Sequence, residues 1–210
     1  MRLVLWVGSP EAPEYALLKA GAGERGDVVA VDSLEDALHH RAMAGIATGI
    51  DDGVAVLRAC HLADGLAKAV GCADTVAFSS AIPQPFGFCA SVGGIVAAVR
   101  EVTGMQYLDG SARIDARGPE AWCAVAGLTQ LRLGPIDGNA DPMTGAIAHR
   151  LGVELQRVAD PSVTFWGMSG ETAITGIEVP TMLVKLHTVA AQLRVFYSVE
   201  PNEAAMRALI

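Results

Sequence analysis

The chain has 210 residues, of which 51% are hydrophobic and 18% charged, and a formal net charge of −8. This composition predicts one folded domain over residues 1–210 and excludes a disordered chain. An acidic chain without a lysine or arginine cluster argues against nucleic-acid binding, and no apolar run reaches the ~18–20 residues of a membrane span. The four cysteines are widely spaced without a C-x-x-C pair, which argues against a zinc knuckle or a disulfide framework, and a cytoplasmic location is expected.

The first 43 residues alternate between strand-like and helix-like segments. Residues 2–8 and 28–31 are predicted strands, and 13–20 is a predicted short helix. Ser33, with Asp36 three residues later, approximates a capping box that opens a helix through Met43. This alternation predicts an α/β fold, leaning towards α+β, in which helices pack on a mixed sheet.

The longest predicted helix spans residues 51–71. On its helical period, Arg58, His61 and Asp64 share a polar stripe opposite an apolar face. His61 and Asp64 could hold a divalent metal together, or Asp64 could orient the imidazole of His61 as a general base. The alternative is a solvent-exposed helix face with an Asp64–Lys68 ion pair.

A second metal hypothesis combines two segments. His39 and His40 are neighbours that a helix points about 100° apart, while Asp51 and Asp52 occupy a helix start, where carboxylates are favourable without any metal. If folding brings these residues and His61 together, a mixed imidazole and carboxylate site for nickel, manganese or zinc becomes chemically reasonable.

The middle of the chain offers weaker signals. A strand is predicted at 75–80, a helix at 95–103 and a hairpin at 106–116, and any internal lobe boundary is expected near 104–118. Cys89 is interpreted as a small buried hydrophobe. Gly93-Gly94 lacks the frame of a nucleotide-binding fingerprint.

A helix start in the second half is the candidate binding loop. Asp141 is the predicted N-cap and Pro142 the first helical residue of a helix over 143–151. Free N–H groups at such a start favour an anion, so Asp141, Thr144 and Gly145 are candidate cofactor-binding residues, with Trp166 as an apolar wall. Ordinary helix capping is the alternative.

The remaining segments complete the predicted architecture. Strands are predicted near 153–158 and 162–166, residues 181–199 read as two strands, and a helix closes the chain at 201–209. Glu171 follows a glycine-rich turn and is a candidate catalytic carboxylate, although exposed glutamates are common in turns.

Three motifs share an order with a known family. They are the Gly134-Pro135 turn followed by Thr144-Gly145 and Gly152, the Trp166–Gly170 turn, and Pro180 followed by alternating aliphatic residues. Over residues 54–188 this order resembles the N-terminal part of LarC-type nickel-insertion proteins, which help build the nickel-pincer nucleotide cofactor. The resemblance implies metal handling, with nickel or manganese as the ion and a small-molecule or nucleotide-like cofactor as the partner.

Two other functions stay open. One is a small hydrolase or isomerase that binds an acidic small molecule at residues 141–145 and uses His61 or His149 as the acid–base group. The other is a non-catalytic self-assembling protein. The low charge content predicts a homo-oligomer with part of its apolar surface in a subunit interface, although a well-filled core explains the same composition.

Overall fold

A computed structural model describes residues 2–40, 43–78, 84–138, 141–166 and 176–210. They form two β-sheets with helices packed on them. The strands of the first sheet are β1 Arg2–Val7, β2 Gly26–Val31, β3 Met43–Thr48, β4 Leu62–Ala63, β5 Thr75–Ala77 and β6 Phe86–Phe88. Those of the second are β7 Ala112–Asp115, β8 Ile136–Asp137, β9 Val163–Trp166 and β10 Ile177–Val179. The α-helices in these ranges are α1 Pro13–Ala22, α2 Leu34–His39, α3 Gly53–Ala59, α4 Gly65–Val70, α5 Ala90–Thr103, α6 Gly118–Gln130, α7 Pro142–Leu151, α8 Thr181–Tyr197 and α9 Glu203–Arg207.

The two sheets differ in strand direction. The first has the order β2-β1-β3-β5-β6-β4 and is mixed, because β5 runs antiparallel to both β3 and β6. The second has the order β10-β9-β7-β8 with parallel pairing throughout. The predicted α/β class, with helices packed on a mixed sheet, is therefore confirmed.

Strand β1 shows why the first strand reads as a continuous apolar run. Val4 and Trp6 pack into a core formed with α1, α8 and α9, whereas Leu5 and Val7 pack into a second core that extends to α5, α6 and the other sheet. Alternate residues of a strand point to opposite faces, so a strand covered on both faces must be apolar at every position.

Helices α5 and α8 pack closely against each other at a glycine. A Cβ atom built on Gly94 would lie 2.7 Å from the backbone nitrogen of Thr188 and closer still to its Oγ1. Glycine at this position therefore permits an approach that any larger residue would block. The packing fixes the relative position of two helices that carry site residues.

Several predicted elements are wrong, and tertiary contacts explain the differences. The predicted helix over 51–71 is broken into α3, β4 and α4, because Leu62–Ala63 pairs with β6 and Asp64 N–H bonds to the carbonyl of Gly87 at 3.0 Å. The predicted hairpin at 106–116 is absent, since β7 pairs in parallel with β8 and β9.

The segment predicted as two strands, 181–199, contains helix α8. Its buried residues recur every three or four positions, as at Leu183, Leu186, Val189 and Leu193. Across the ranges that the structure describes, no helix is both long and apolar enough to cross a bilayer.

Candidate functional site

A cleft between the two sheets encloses a cavity of about 150 Å³, which we call the inter-sheet cleft. It begins at the carboxyl end of β3, and helices α1, α5, α6 and α8 and strand β9 complete its walls. Its polar lining residues are Glu14, Thr48, Asp51, Ser91, Glu120, Thr181, Lys185, Thr188 and Gln192. Ligands of α/β proteins commonly bind at the carboxyl ends of strands.

An ion pair crosses the inter-sheet cleft. Nζ of Lys185, on α8, lies 2.8 Å from Oε1 of Glu14, on α1, and the two side chains are 20% and 19% exposed. Because water reaches them only partly, the two groups hold each other in place more firmly than an exposed pair would. The pair sets a proton donor beside a proton acceptor.

Three other side chains present hydrogen-bond acceptors to the cleft. The hydroxyl of Ser91 donates to Asp74 at 2.5 Å and that of Thr48 donates to the carbonyl of Gly49 at 2.9 Å, so their oxygen lone pairs remain for a ligand. Gln192 is 1% exposed, and its Nε2 donates to the carbonyls of Thr48 and Asp74. Within the described ranges its Oε1 has no hydrogen-bond partner. A buried acceptor without a partner favours a ligand that donates a hydrogen bond to it.

Asp74 anchors this wall from behind. It is fully buried, and burial raises the pKa of its carboxyl to about 6, with the nearby Cys89 adding to the rise. Hydrogen bonds from the Ser91 hydroxyl and the Thr75 hydroxyl, and then from the N–H of Ala90, oppose that shift. The carboxylate thereby ties the end of the first sheet to the start of α5 and orients Ser91.

The charge of the inter-sheet cleft is negative. Its described lining contains three carboxylates, on Glu14, Asp51 and Glu120, and one ammonium, on Lys185. Like charges disfavour one another in a partly enclosed space. The cleft therefore suits a neutral hydroxylated ligand better than an anionic one.

A second concavity lies at the carboxyl ends of β7 and β8, and we call it the β7–β8 crevice. It is lined by the residues Arg113, Ile114, Asp115, Asp137, Gly138, Arg157, Val158 and Ala159. Asp137, the last residue of β8, lies 3.5 Å from Nε of Arg113 and accepts a hydrogen bond from the N–H of Val158. The chain adds β8 on one side of β7 and β9 on the other, which makes this edge a switch point of a parallel sheet.

The turn from β7 into α6 is compact. Gly118 opens the helix with a φ of +58°, and a Cβ atom there would meet nothing within 4 Å. The N-cap residue, Arg117, makes no side-chain capping bond, so the N–H groups of this helix start are not satisfied by a cap. The turn has one glycine, where a dinucleotide-binding fingerprint has three.

Three cysteines meet behind the inter-sheet cleft. Their Sγ atoms are 3.4 Å apart for Cys89–Cys123, 3.5 Å for Cys72–Cys123 and 4.0 Å for Cys72–Cys89. Hydrogen bonds from Cys123 and then from Cys89 lower the pKa of Cys72 to about 5. Burial, followed by its bonds to the other two sulfurs, raises the pKa of Cys123 well above its usual value. A hydrogen bond from Cys123 acts to lower the pKa of Cys89, but the bond to Cys72 and burial outweigh it, so that the pKa is raised well above its usual value. The three thiols thus shift one another's pKa values, downward for Cys72 and upward for Cys89 and Cys123.

The fold of the chain is similar to that of several solved structures. The chain superposes on shikimate 5-dehydrogenase from Thermus thermophilus in complex with NADP(H) and shikimate with a TM-score of 0.82 and 16% identity, covering 100% of both chains. For quinate dehydrogenase from Corynebacterium glutamicum in complex with NAD, the TM-score is 0.82 and the identity 15%, and the match covers 100% of this chain and 98% of that one. For 5-ketofructose reductase of Gluconobacter sp. strain CHM43, the TM-score is 0.80 and the identity 14%, and the match covers 99% of this chain and 97% of that one.

The chain has the shikimate dehydrogenase fold. No protein-family model and no curated protein matches the sequence. The predicted resemblance to nickel-insertion proteins is wrong, because the similar structures are dehydrogenases of this fold. Nickel or manganese as cofactor is wrong for the same reason, since these neighbours hold NADP(H) or NAD. The hydrolase, isomerase and self-assembly alternatives find no support in these structures either. The resemblance rested on glycine, proline and threonine at turns, which many α/β folds place at similar positions.

The structure separates the predicted catalytic pair. His61 is exposed in the bend before β4, not on a helix, and Asp64 caps α4 by accepting the N–H of Ala67 at 2.6 Å. The predicted shared helix face does not exist, because the chain leaves its helical path at Cys60 to form β4. Glu171, the third predicted catalytic residue, lies outside the described ranges.

The predicted histidine and carboxylate metal site is not assembled. Within the described ranges, three or more His, Cys, Asp or Glu side chains place their ligand atoms within 4.8 Å of one another at Cys72, Cys89 and Cys123. His39 is instead bonded to the carbonyl of Glu35 at 2.8 Å, and His40 ends the same helix. Asp51 and Asp52 lie in a 3₁₀ turn after β3, where Asp51 lines the inter-sheet cleft.

The predicted anion site at the start of α7 is occupied by its own cap. Asp141 accepts the N–H groups of Met143 and Thr144 at 2.9 Å, and the Thr144 hydroxyl donates to the same carboxylate. Partial burial raises the pKa of Asp141, but these bonds outweigh it and lower the pKa overall. The structure thus shows ordinary capping by Asp141, while Gly145 N–H bonds to the carbonyl of Asp141, and cofactor binding at this helix start stays a prediction. Trp166 ends β9, where its backbone pairs with Asp115, and the turn that follows lies outside the described ranges.

Proposed function

We propose that the protein is a nicotinamide-dependent oxidoreductase that interconverts an alcohol and a ketone on a small, polyhydroxylated substrate. The inter-sheet cleft carries this proposal, because it places three oxygen acceptors beside the Lys185–Glu14 pair. The fold supports it, since shikimate and quinate dehydrogenases and 5-ketofructose reductase share it over nearly their whole length.

The acceptors define the class of substrate. Ser91, Thr48 and Gln192 each offer an oxygen that a substrate hydroxyl can bond to. A substrate with several hydroxyl groups satisfies all three, whereas an apolar one leaves them buried and unpaired. With three carboxylates against one ammonium in the described lining, a neutral polyol or keto-sugar is favoured over a hydroxy acid.

The Lys185–Glu14 pair supplies the proton chemistry. When a ketone is reduced, its oxygen gains negative charge, which the Lys185 ammonium stabilises and then protonates. Glu14 holds the ammonium group in position, with its Oε1 2.8 Å from Nζ of Lys185. In the oxidation direction, the amine of Lys185 accepts the proton of the substrate hydroxyl.

The β7–β8 crevice fits a dinucleotide. The uncapped start of α6 and the open space at Gly118 suit a pyrophosphate group. Asp137 follows Gly118 by about 20 residues at the end of the next strand, where an acidic residue bonds the ribose 2′-hydroxyl of NAD. We therefore propose NAD(H) over NADP(H). A nicotinamide supplies hydride-transfer chemistry when bound.

The two regions join at the carboxyl edge of the second sheet. Glu120, on the first turn of α6, and Phe165, on β9, both line the inter-sheet cleft. The helix start that suits a pyrophosphate therefore contributes a wall to the proposed substrate site.

A substrate panel tests the proposal. Purified protein is mixed with NAD⁺ or NADP⁺ and with shikimate, quinate or neutral polyols such as fructose, and reduced nicotinamide is followed by absorbance. We expect activity with NAD⁺ and a neutral polyol. If neither NAD⁺ nor NADP⁺ is reduced with any compound of the panel, and no compound shifts the melting temperature of the protein, the proposed substrate class is rejected.

A further inference from the structure

The three buried cysteines have no part in the proposed dehydrogenase chemistry. Cys72 lies between α4 and β5, Cys89 between β6 and α5, and Cys123 on α6. Their exposed fractions are 0%, 5% and 1%. Three separate segments of the chain thus converge on one point.

The spacing of the sulfurs matches the face of a metal coordination sphere. Zinc–sulfur bonds of about 2.3 Å at tetrahedral angles place sulfur atoms about 3.8 Å apart. The observed distances of 3.4, 3.5 and 4.0 Å straddle this value. A disulfide bond, by contrast, needs about 2.05 Å.

The surroundings suit a thiolate-bound ion. Cys89 is the N-cap residue of the 14-residue helix α5, where the helix dipole favours a negatively charged group such as a metal-bound thiolate. Cys123 also lines the inter-sheet cleft, which gives an ion a path to the cluster.

We propose that Cys72, Cys89 and Cys123 form a three-sulfur site for one thiophilic d¹⁰ metal ion, either Zn²⁺ or Cu⁺. Sulfur ligands select such ions over nickel or manganese, which prefer imidazole or oxygen. The ion binds as the thiols release their protons to solvent, and no oxidant or reductant takes part. It ties the segment before β5 and the start of α5 to helix α6, behind the substrate cleft.

Metal uptake by the reduced protein tests the site. The full chain is reduced with a phosphine, freed of metal by chelation, loaded with Zn²⁺ and desalted, and its metal content is measured by mass spectrometry. We expect about one zinc ion per chain and a higher melting temperature with zinc than without. A parallel sample with Co²⁺ should show the visible absorption of tetrahedral, thiolate-bound cobalt.

Single serine variants locate the ligands. We expect C72S, C89S and C123S each to retain less than about a tenth of the wild-type zinc. The half-buried Cys60, which lies outside the cluster, provides the control, and C60S should bind zinc as the wild type does. Circular dichroism shows which variants are folded. If a variant does not fold, the Co²⁺ spectrum of the wild type still tests the site.

A second arm separates the two ions. Stoichiometric uptake of Cu⁺ under anaerobic conditions, lost in the same variants, supports the same site with the softer ion. Uptake of neither ion by the reduced wild type would overturn the proposal. A Cys89–Cys123 disulfide in unreduced protein, with no metal bound after reduction, would also overturn it in favour of a redox pair.

Discussion

The ammonium of Lys185 lies 2.8 Å from the carboxylate of Glu14 across the inter-sheet cleft. The two residues are far apart in the sequence, on α8 and α1, and meet because α8 returns from the second sheet to pack on α1. Their contact places a proton donor and a proton acceptor in a cavity that is otherwise rich in acceptors. The pair is the chemical centre of the proposed oxidoreductase.

Replacing Lys185 with methionine should abolish the proton donor while keeping the length of the side chain. We expect kcat on the substrate found in the panel to fall by about 10²-fold or more, the usual contribution of a general acid or base. The control is Lys19→Met, at an exposed position of α1 outside the cleft lining. An unchanged kcat in the Lys185 variant would remove this residue from the chemistry.

Adjacent glycines of α5 should respond in opposite directions to alanine. At Gly94 a Cβ atom would lie 2.7 Å from the backbone nitrogen of Thr188, so Gly94→Ala should destabilise the protein by about 1–3 kcal/mol. At Gly93 nothing lies within 4 Å, so Gly93→Ala should stabilise the helix by about 0.5–1 kcal/mol. Urea unfolding measures both, and equal effects would disprove the close packing of α5 on α8.

Gln192 is expected to contribute to stability as well as to binding. Its Nε2 donates to the carbonyl of Thr48 at 3.3 Å and to that of Asp74 at 3.0 Å. Gln192→Leu leaves at least one buried carbonyl without this donor and should cost about 1–3 kcal/mol in the free energy of unfolding. Gln130→Leu, at an exposed position at the end of α6, is the control and should change stability little. Equal stabilities of the two variants would argue against these bonds.

Acid should weaken the contact between α5 and the C-terminal helix. Glu101 accepts two hydrogen bonds from Arg207 and is bonded to His187, and together these contacts outweigh partial burial and lower its pKa to about 2. A carboxyl group whose pKa is lowered by folding stabilises the protein at pH values above its pKa in the unfolded chain. That contribution is lost as the pH falls through its pKa in the folded protein. The stability difference between wild type and Glu101→Gln should therefore be full near neutral pH and shrink between about pH 5 and pH 2. Urea unfolding at a series of pH values measures it, and a constant difference would contradict the shift.

Local signals in the sequence predicted part of the fold. The caps at Ser33 and Asp141 are both confirmed, because a cap depends on a side chain and the N–H groups two or three residues later. The break at Cys60 was not predictable in this way, since it depends on strand pairing with residues 86–87. Tertiary pairing overrode a good helical pattern.

The site was harder to predict than the fold. Glu14, Ser91 and Lys185 come from three helices that only the folded chain brings together, and no local motif connects them. The cysteine cluster was missed for the same reason, as its members are 17 to 51 residues apart. The β7–β8 crevice lacks the glycine fingerprint, so the parallel sheet and its switch point reveal it. The expected homo-oligomer stays a prediction.

Nucleotide binding measured by calorimetry tests the central proposal most directly. We expect NADH to bind the wild type saturably at one site. Asp137→Ala should weaken the binding of NADH by about tenfold or more, which is the scale of one lost hydrogen bond to a charged group. The same change should not weaken the binding of NADPH. Asp109→Ala, at an exposed position outside both concavities, should bind NADH as the wild type does. Saturable binding of neither NADH nor NADPH would contradict the proposed oxidoreductase function.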